Sequence, residues 1–337
     1  MNIRNKVAGC LYGMALGDSM GMPGELWSRK KIKEIFSSGI KELLDGPKDN
    51  DIVFNYNKGQ FTDDTSQALI ILDSLSENNF KVSRADIGRK LVYWAEKENA
   101  FENNILGPTS KLALTSIINK QDPSEITSKA LSNGSAMRIA PIGCLFLPEE
   151  KEALVNYVYE VSSVTHSSDI AIAGAAIIAQ AVSSAIYYKD FDKIINDIFD
   201  VEKLGLRQGS ETYAAKLSER IKIGLSLAEK YRYDEERFSQ SIYDIVGSGV
   251  SLIESVPTAI SIAYFCKDPN KSDIMCANLG GDTDTIGAMA TSICGVYKGL
   301  DSINEEYITI LKKQNPETDF DSYIDLLMKG REILWEL

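Results

Sequence analysis

The chain has 337 residues, 44% of them hydrophobic and 25% charged, the balance of a globular protein with a core of its own. Its formal net charge is -12 and it has no long basic cluster, which excludes nucleic acid as the main partner. A single histidine, His166, excludes two-His and three-His zinc sites and is the one residue available to any Ser-His-Asp triad. The five cysteines form no C-x-x-C pair and mostly sit in apolar runs, so they read as buried free thiols of a cytoplasmic protein.

In chain order, the first predicted element is a helix over 6–21. Gly9, Gly13, Gly17 and Gly21 recur every four residues and give it one smooth stripe, along which a second helix can approach closely. Asp18 marks it as a buried helix of a soluble protein and not a membrane dimerisation helix. The turn Gly21-Met22-Pro23-Gly24 ends it, and Glu25 follows. Residues 28–58 read as a short helix and an irregular loop. Phe61-Thr62-Asp63-Asp64-Thr65 opens a helix over 64–77, and an amphipathic helix is predicted over 84–98. The loop Asn103-Asn104-Ile105-Leu106-Gly107-Pro108-Thr109 opens a helix over 110–119.

Ser132-Asn133-Gly134-Ser135-Ala136-Met137-Arg138 is a loop of small residues. Taken alone it reads as an Asn-Gly turn, but its exposed N–H groups also suit a phosphate. A helix over 151–164 precedes Thr165-His166, a polar loop at the start of a small-residue helix over 170–185. The apolar run within that helix, Ile170 to Ala179, is too short to span a bilayer. Amphipathic helices fill 191–240 and 302–337, and a buried helix is expected from Val256. No strand-like alternation and no fixed repeat appears. The expected architecture is all-α, one compact domain of many helices over residues 1–337.

The densest chemistry lies at Asn278-Leu279-Gly280-Gly281-Asp282-Thr283-Asp284-Thr285, ahead of a buried helix over 286–297. Asp and Thr side chains offer only oxygen, which suits hard divalent cations. The cluster at 62–65 repeats this chemistry, and adjacent carboxylates repel unless a cation lies between them. Either cluster alone could be a helix N-cap. Together, with the paired glycines, they point to a two-metal site.

These motifs resemble the ADP-ribosylglycohydrolase family, which includes the dinitrogenase reductase-activating glycohydrolases. The resemblance runs from about Val7 to Gly299. It is carried by the motifs at 13–25, 61–65, 132–141, 165–166 and 278–285. It implies an all-α fold with a binuclear site for two divalent cations, Mg2+ or alternatively Mn2+. Thr62, Asp63 and Asp64 would ligate from one side, and Asp282, Asp284 and Thr285 from the other. Glu25 matches an acid that contacts metal or substrate ribose. Asn133, Gly134, Ser135 and Met137 match the loop around the diphosphate, and His166 matches a ligand-contacting histidine. Asn104 falls in a substrate-binding loop where some members carry aspartate. Asn104 cannot act as a base, so either another acid serves or the substrate differs. Val250 stands where an aromatic residue often follows the Gly-Ser-Gly turn.

The implied reaction is hydrolysis of the N- or O-glycosidic bond between ADP-ribose and an acceptor, with arginine on protein as the first expectation. Asp282 or Asp284 would take the proton of the attacking water, with Glu25 as the second candidate. Serine-linked, polymeric or small-molecule ADP-ribose is the alternative within enzymes. A non-catalytic ADP-ribose binder or a crystallin-like structural protein is the alternative outside them. The expected partner is an ADP-ribosylated protein or an ADP-ribose-containing small molecule, with no nucleic acid and no membrane.

Overall fold

Short polar side chains start many of the helices. Asn2 Oδ1 accepts the N–H of Asn5 at 3.1 Å and opens α1 (Ile3–Gly21). The computed structural model describes residues 2–103 and 105–335. After α1 come α2 (Arg29–Ile35), α3 (Asp63–Glu77), α4 (Arg84–Lys97), α5 (Pro108–Ile118), α6 (Ser124–Thr127) and α7 (Ala140–Gly143). The middle of the chain forms α8 (Lys151–Ser162), α9 (Asp169–Tyr187), α10 (Phe191–Gly205), α11 (Leu217–Lys230) and α12 (Glu235–Ser241). It ends with α13 (Leu252–Cys266), α14 (Pro269–Ala277), α15 (Thr283–Lys298), α16 (Glu305–Gln314) and α17 (Phe320–Trp335). Among the described residues the extended backbone amounts to isolated bridges, one of them between Trp27 and Gly281. The all-α expectation holds, in one compact domain.

The centre is an antiparallel pair, α1 against α15. The glycine stripe makes the contact. A Cβ on Gly9 would meet the Gly295 carbonyl oxygen at 2.2 Å, on Gly13 that of Thr291 at 2.5 Å, and on Gly17 that of Gly287 at 2.0 Å. On Gly21 it would meet the Thr283 carbonyl oxygen at 2.3 Å. The stripe therefore serves backbone-to-backbone packing, and its partner is the helix that carries Asp284. Around the pair pack α9, α13 and α14, with α10 and α11 outside them.

Two of the differences from expectation bear on the core. Helix α9 runs on to Tyr187 and is 19 residues long, enough by length and apolarity to cross a membrane. Yet 94% of its apolar window is buried inside the protein, where α15, α10 and α8 cover it. Helix α13 begins at Leu252, ahead of the expected start at Val256, so Pro257 lies inside it. Proline cannot donate to the Ile253 carbonyl one turn earlier. Arg220 Nη1 donates to that oxygen instead, at 3.3 Å, and the helix continues.

Because the α1–α15 contact is backbone on backbone, no side chain can yield to an added methyl. Gly17→Ala should cost about 1–3 kcal/mol or more, seen as a lower midpoint in chemical or thermal unfolding. Gly107→Ala, where nothing lies within 4 Å of the new Cβ, should stay within about 0.5 kcal/mol of the parent.

Candidate active site

The α1–α15 pair assembles the acids. Asp18, fully buried near the end of α1, accepts the N–H of Thr62 at 2.8 Å and of Thr65 at 3.0 Å, and the Thr65 hydroxyl at 2.6 Å. Asp18 therefore caps α3 from another helix and fixes where Asp63 and Asp64 stand. Thr283 Oγ1 donates to the Gly21 carbonyl at 2.7 Å and ties the start of α15 to the end of α1. Gly280 and Gly281 have φ of +88° and +86°, a conformation that favours glycine. Through that turn Gly281 pairs with the strand-like residues after Glu25. The Leu26 N–H donates to the Gly281 carbonyl at 2.8 Å, and the Gly281 N–H to the Trp27 carbonyl at 2.7 Å. Glu25 is thereby set on the same cleft as Asp282 and Asp284.

The two Thr/Asp clusters do not cap their own helices. Thr62 and Asp282 occupy the N-cap positions of α3 and α15, but neither side chain bonds its helix's amides. Elsewhere Ser28, Ser83 and Ser168 do make that bond. Asp282 Oδ2 instead accepts Asn133 Nδ2 at 2.5 Å, and Thr285 Oγ1 donates to Asp64 Oδ1 at 3.0 Å. Asp63 Oδ2 accepts Gln67 Nε2 at 2.8 Å. One oxygen, Asp284 Oδ1, is buried with no partner.

These groups open on a cleft of about 520 Å³. Of the residues singled out in the sequence, Glu25, Asp63, Asn133, Gly134, Met137, Asp282, Asp284 and Thr285 line it. Thr62 and Asp64 stand behind that wall, the Thr62 hydroxyl donating to Asp64 Oδ2 at 3.4 Å. Ser135 is turned away, its hydroxyl donating to the Ala171 carbonyl at 3.0 Å. His166 is fully buried behind Gly134, with Thr165 and Ser132 on its two ring nitrogens. Asn104 lies outside the described residues. Val250 is on the cleft wall, together with Leu106 and Ser132 from the two small-residue loops and with Leu26 and Ile52, which no motif had marked. Asp18 was legible only as a charge in an apolar helix.

Desolvation raises every acid here. Burial pushes Asp63 up to about 8, with repulsion from Asp18 and Asp282 added. Burial pushes Asp18 and Asp282 up to about 6, against hydrogen bonds from Thr65 and Asn133 that favour the charged form. Glu25, Asp64 and Asp284 are held well above the usual carboxylate range, by burial first and then by neighbouring carboxylates. Among the described residues, no three His, Cys, Asp or Glu side chains already close on one point at ligating distance. The donors are nevertheless all oxygen, mutually repelling and desolvated, with Asp284 Oδ1 unpartnered. That set fits hard divalent cations.

The family model for ADP-ribosylglycohydrolase matches residues 1–333. The chain belongs to the ADP-ribosylglycohydrolase family. It is 41% identical to the uncharacterized protein YegU of Escherichia coli (strain K12), over 97% of both chains. It is 24% identical to the ADP-ribosylhydrolase ARH3 of Homo sapiens, over 90% of this chain and 88% of that one. A solved ADP-ribosylglycohydrolase-related protein complex shares the fold, with a TM-score of 0.70 at 18% identity over 98% of each chain. The resemblance read from the five motifs is thus borne out. As an ADP-ribosylglycohydrolase family member the chain falls in a class of hydrolases.

A carboxyl whose folded-state pKa is raised binds its proton more tightly folded than unfolded. Such groups cost nothing below about pH 4, where the unfolded chain is also protonated, and destabilise the fold increasingly above it. In EDTA the melting temperature of this family member should therefore fall as pH rises through the values near 6 and 8 of Asp18, Asp282 and Asp63. Differential scanning calorimetry at about pH 5.5 and about pH 8 checks the direction.

Proposed function

We propose that this protein hydrolyses the bond between ADP-ribose and a modified acceptor, most directly arginine on protein. The observation that carries this reading is the cleft wall on which Glu25, Asp63, Asp282 and Asp284 converge around an unpartnered buried oxygen. Thr62, Asp63, Asp64, Asp282, Asp284 and Thr285 would hold two divalent cations, Mg2+ or alternatively Mn2+. When bound, they would offset the acids' charge, orient ribose hydroxyls and lower the pKa of a water.

The chain's own groups supply the rest. Asn133 Nδ2 fixes the Asp282 carboxylate by one of its oxygens, leaving the other to take a proton from water. Asp284 is the alternative to Asp282 in this role, and Glu25, on the same cleft, is the second candidate. The small-residue walls at 107–108 and 133–134 present backbone to a diphosphate, and Leu106, Met137 and Val250 give an apolar face for a ring. Ile52 and Ile105 are shared with a side pocket of about 390 Å³ that also exposes Asp51, Glu98 and Glu102. An acidic pocket of that kind suits a cationic acceptor such as a guanidinium, which supports the arginine reading.

Release of ADP-ribose from ADP-ribosyl-arginine protein should require Mg2+ or Mn2+ and cease in EDTA. Asp282→Asn and Asp284→Asn should each lower turnover by about 10²–10⁴ while the fold survives. Mg2+ at about a hundred times its Kd should add about 2.7 kcal/mol of stability to the parent protein, and less to Asp284→Asn. Release from an ADP-ribosyl-serine peptide alone would move the acceptor and keep the site.

A further inference from the structure

A second buried polar element runs behind the cleft. Arg138 is 1% exposed, yet its bonded partners are neutral. Its Nη1 donates to Gln67 Oε1 at 2.5 Å, and Gln67 Nε2 donates in turn to Asp63 Oδ2 at 2.8 Å. A flipped Gln67 amide would set oxygen against carboxylate and N–H against guanidinium, so this orientation is fixed. Nη2 of Arg138 donates to Thr165 Oγ1 at 2.5 Å.

A guanidinium can only donate. Thr165 Oγ1 therefore accepts from Arg138, and since its other hydrogen-bond partner is His166 Nδ1, 2.8 Å away, its proton is satisfied by going there. That makes Nδ1 an acceptor and places the ring proton on Nε2, which lies 2.9 Å from Ser132 Oγ. Ser132 accepts there and gives its proton to Thr109 Oγ1 at 3.2 Å. Every donor in this chain is thus set by the one group that cannot accept. The ring has little freedom to turn, since Gly134 lies so close that a Cβ there would sit 2.7 Å from His166 Cε1. Burial first, and Arg138 second, hold the imidazole neutral, down to about 3.

Ser132 is half-buried on the cleft wall. With one lone pair taken by His166 and its proton given to Thr109, its hydroxyl has one lone pair left. We propose that Arg138, acting through Thr165, holds His166 as the neutral Nε2–H tautomer, so that Ser132 Oγ meets the ligand in the cleft as a hydrogen-bond acceptor. Arg138, Thr165 and His166 are positioning residues, and Ser132 is the ligand contact. The ligand half rests on the ADP-ribose reading above, whose ribose hydroxyls are the matching donors; the tautomer half stands without it.

The chain's single histidine makes the test direct. The full-length protein is labelled with 15N-histidine and its imidazole nitrogens are observed by NMR. One neutral Nε2–H pattern is expected, unchanged between about pH 5.5 and about pH 8, a range in which an ordinary imidazole titrates. An Nδ1–H pattern, an averaged pattern or a titration in that range overturns the tautomer assignment. Thr165→Val should mix the tautomers and Thr165→Ser should restore the single pattern; a serine variant that behaves like valine also overturns it. Ser132→Ala should shift the Nε2 signal but keep the single Nε2–H tautomer, raise KM about tenfold and keep kcat within about twofold. An unchanged KM removes Ser132 as a ligand contact. If the parent turns over no ADP-ribosylated substrate, the hydrolase reading fails, the imidazole pattern still decides the tautomer, and ADP-ribose affinity measured by calorimetry on the parent and Ser132→Ala decides the contact.

Discussion

The approach of α1 to α15 through four glycines is the contact on which the site depends. It brings two backbones together with no side chain between them. One consequence is that Asp18, at the far end of α1, can reach the amides of Thr62 and Thr65. Another is that Thr283 Oγ1 can bond the carbonyl at the end of α1. The two acidic clusters lie more than two hundred residues apart, and each is anchored to the same helix. Their mutual placement is therefore as rigid as that one helix pair, as a site working at fractions of an ångström requires.

The arrangement is costly in itself. Six carboxylates share one desolvated region, and the nearby cation, Arg138, reaches them through the amide of Gln67 and not by direct pairing. Burial is the largest cause of every raised acid in the group, ahead of repulsion. The helix pair must therefore hold together against the charge it concentrates. Close packing along the stripe, and the buried apolar faces of α9 and α13 behind it, offset that cost. Strain of this kind at a site, compensated elsewhere in the fold, is expected where the charges serve chemistry.

Much of this was legible in the sequence because it depends on residue type and short spacing. The four-residue glycine period marked a close helix contact, and Thr-Asp-Asp-Thr and Gly-Gly-Asp-Thr-Asp-Thr marked oxygen donors at helix starts. Partners at long range were not legible. Nothing near residue 18 shows that Asp18 caps α3, because its acceptor role depends on where α3 docks. His166 sits in a polar loop that suggests ligand contact, but Arg138 and Thr165 turn it inward. Ser135 lies in a loop rich in small residues, yet its hydroxyl satisfies a carbonyl of α9. Pro257 signals a helix start by its own chemistry, whereas the helix begins earlier and the distant Arg220 bonds the carbonyl that the proline leaves free.

The parts of the cleft differ in what holds them. Apart from Glu25, on the turn after α1, the acids rest on α1, α3 and the start of α15, elements that cannot shift without opening the core. The side pocket with Asp51, Glu98 and Glu102 rests on the irregular segment before α3 and on the turn after α4, where the three side chains are exposed. Substitution there costs little stability, since loops carry few buried contacts. On the function proposed above, the reacting centre and the recognition of the acceptor could thus vary independently. On that reading a change of acceptor would require new charges only in those loops, with the acids on the helices left as they are.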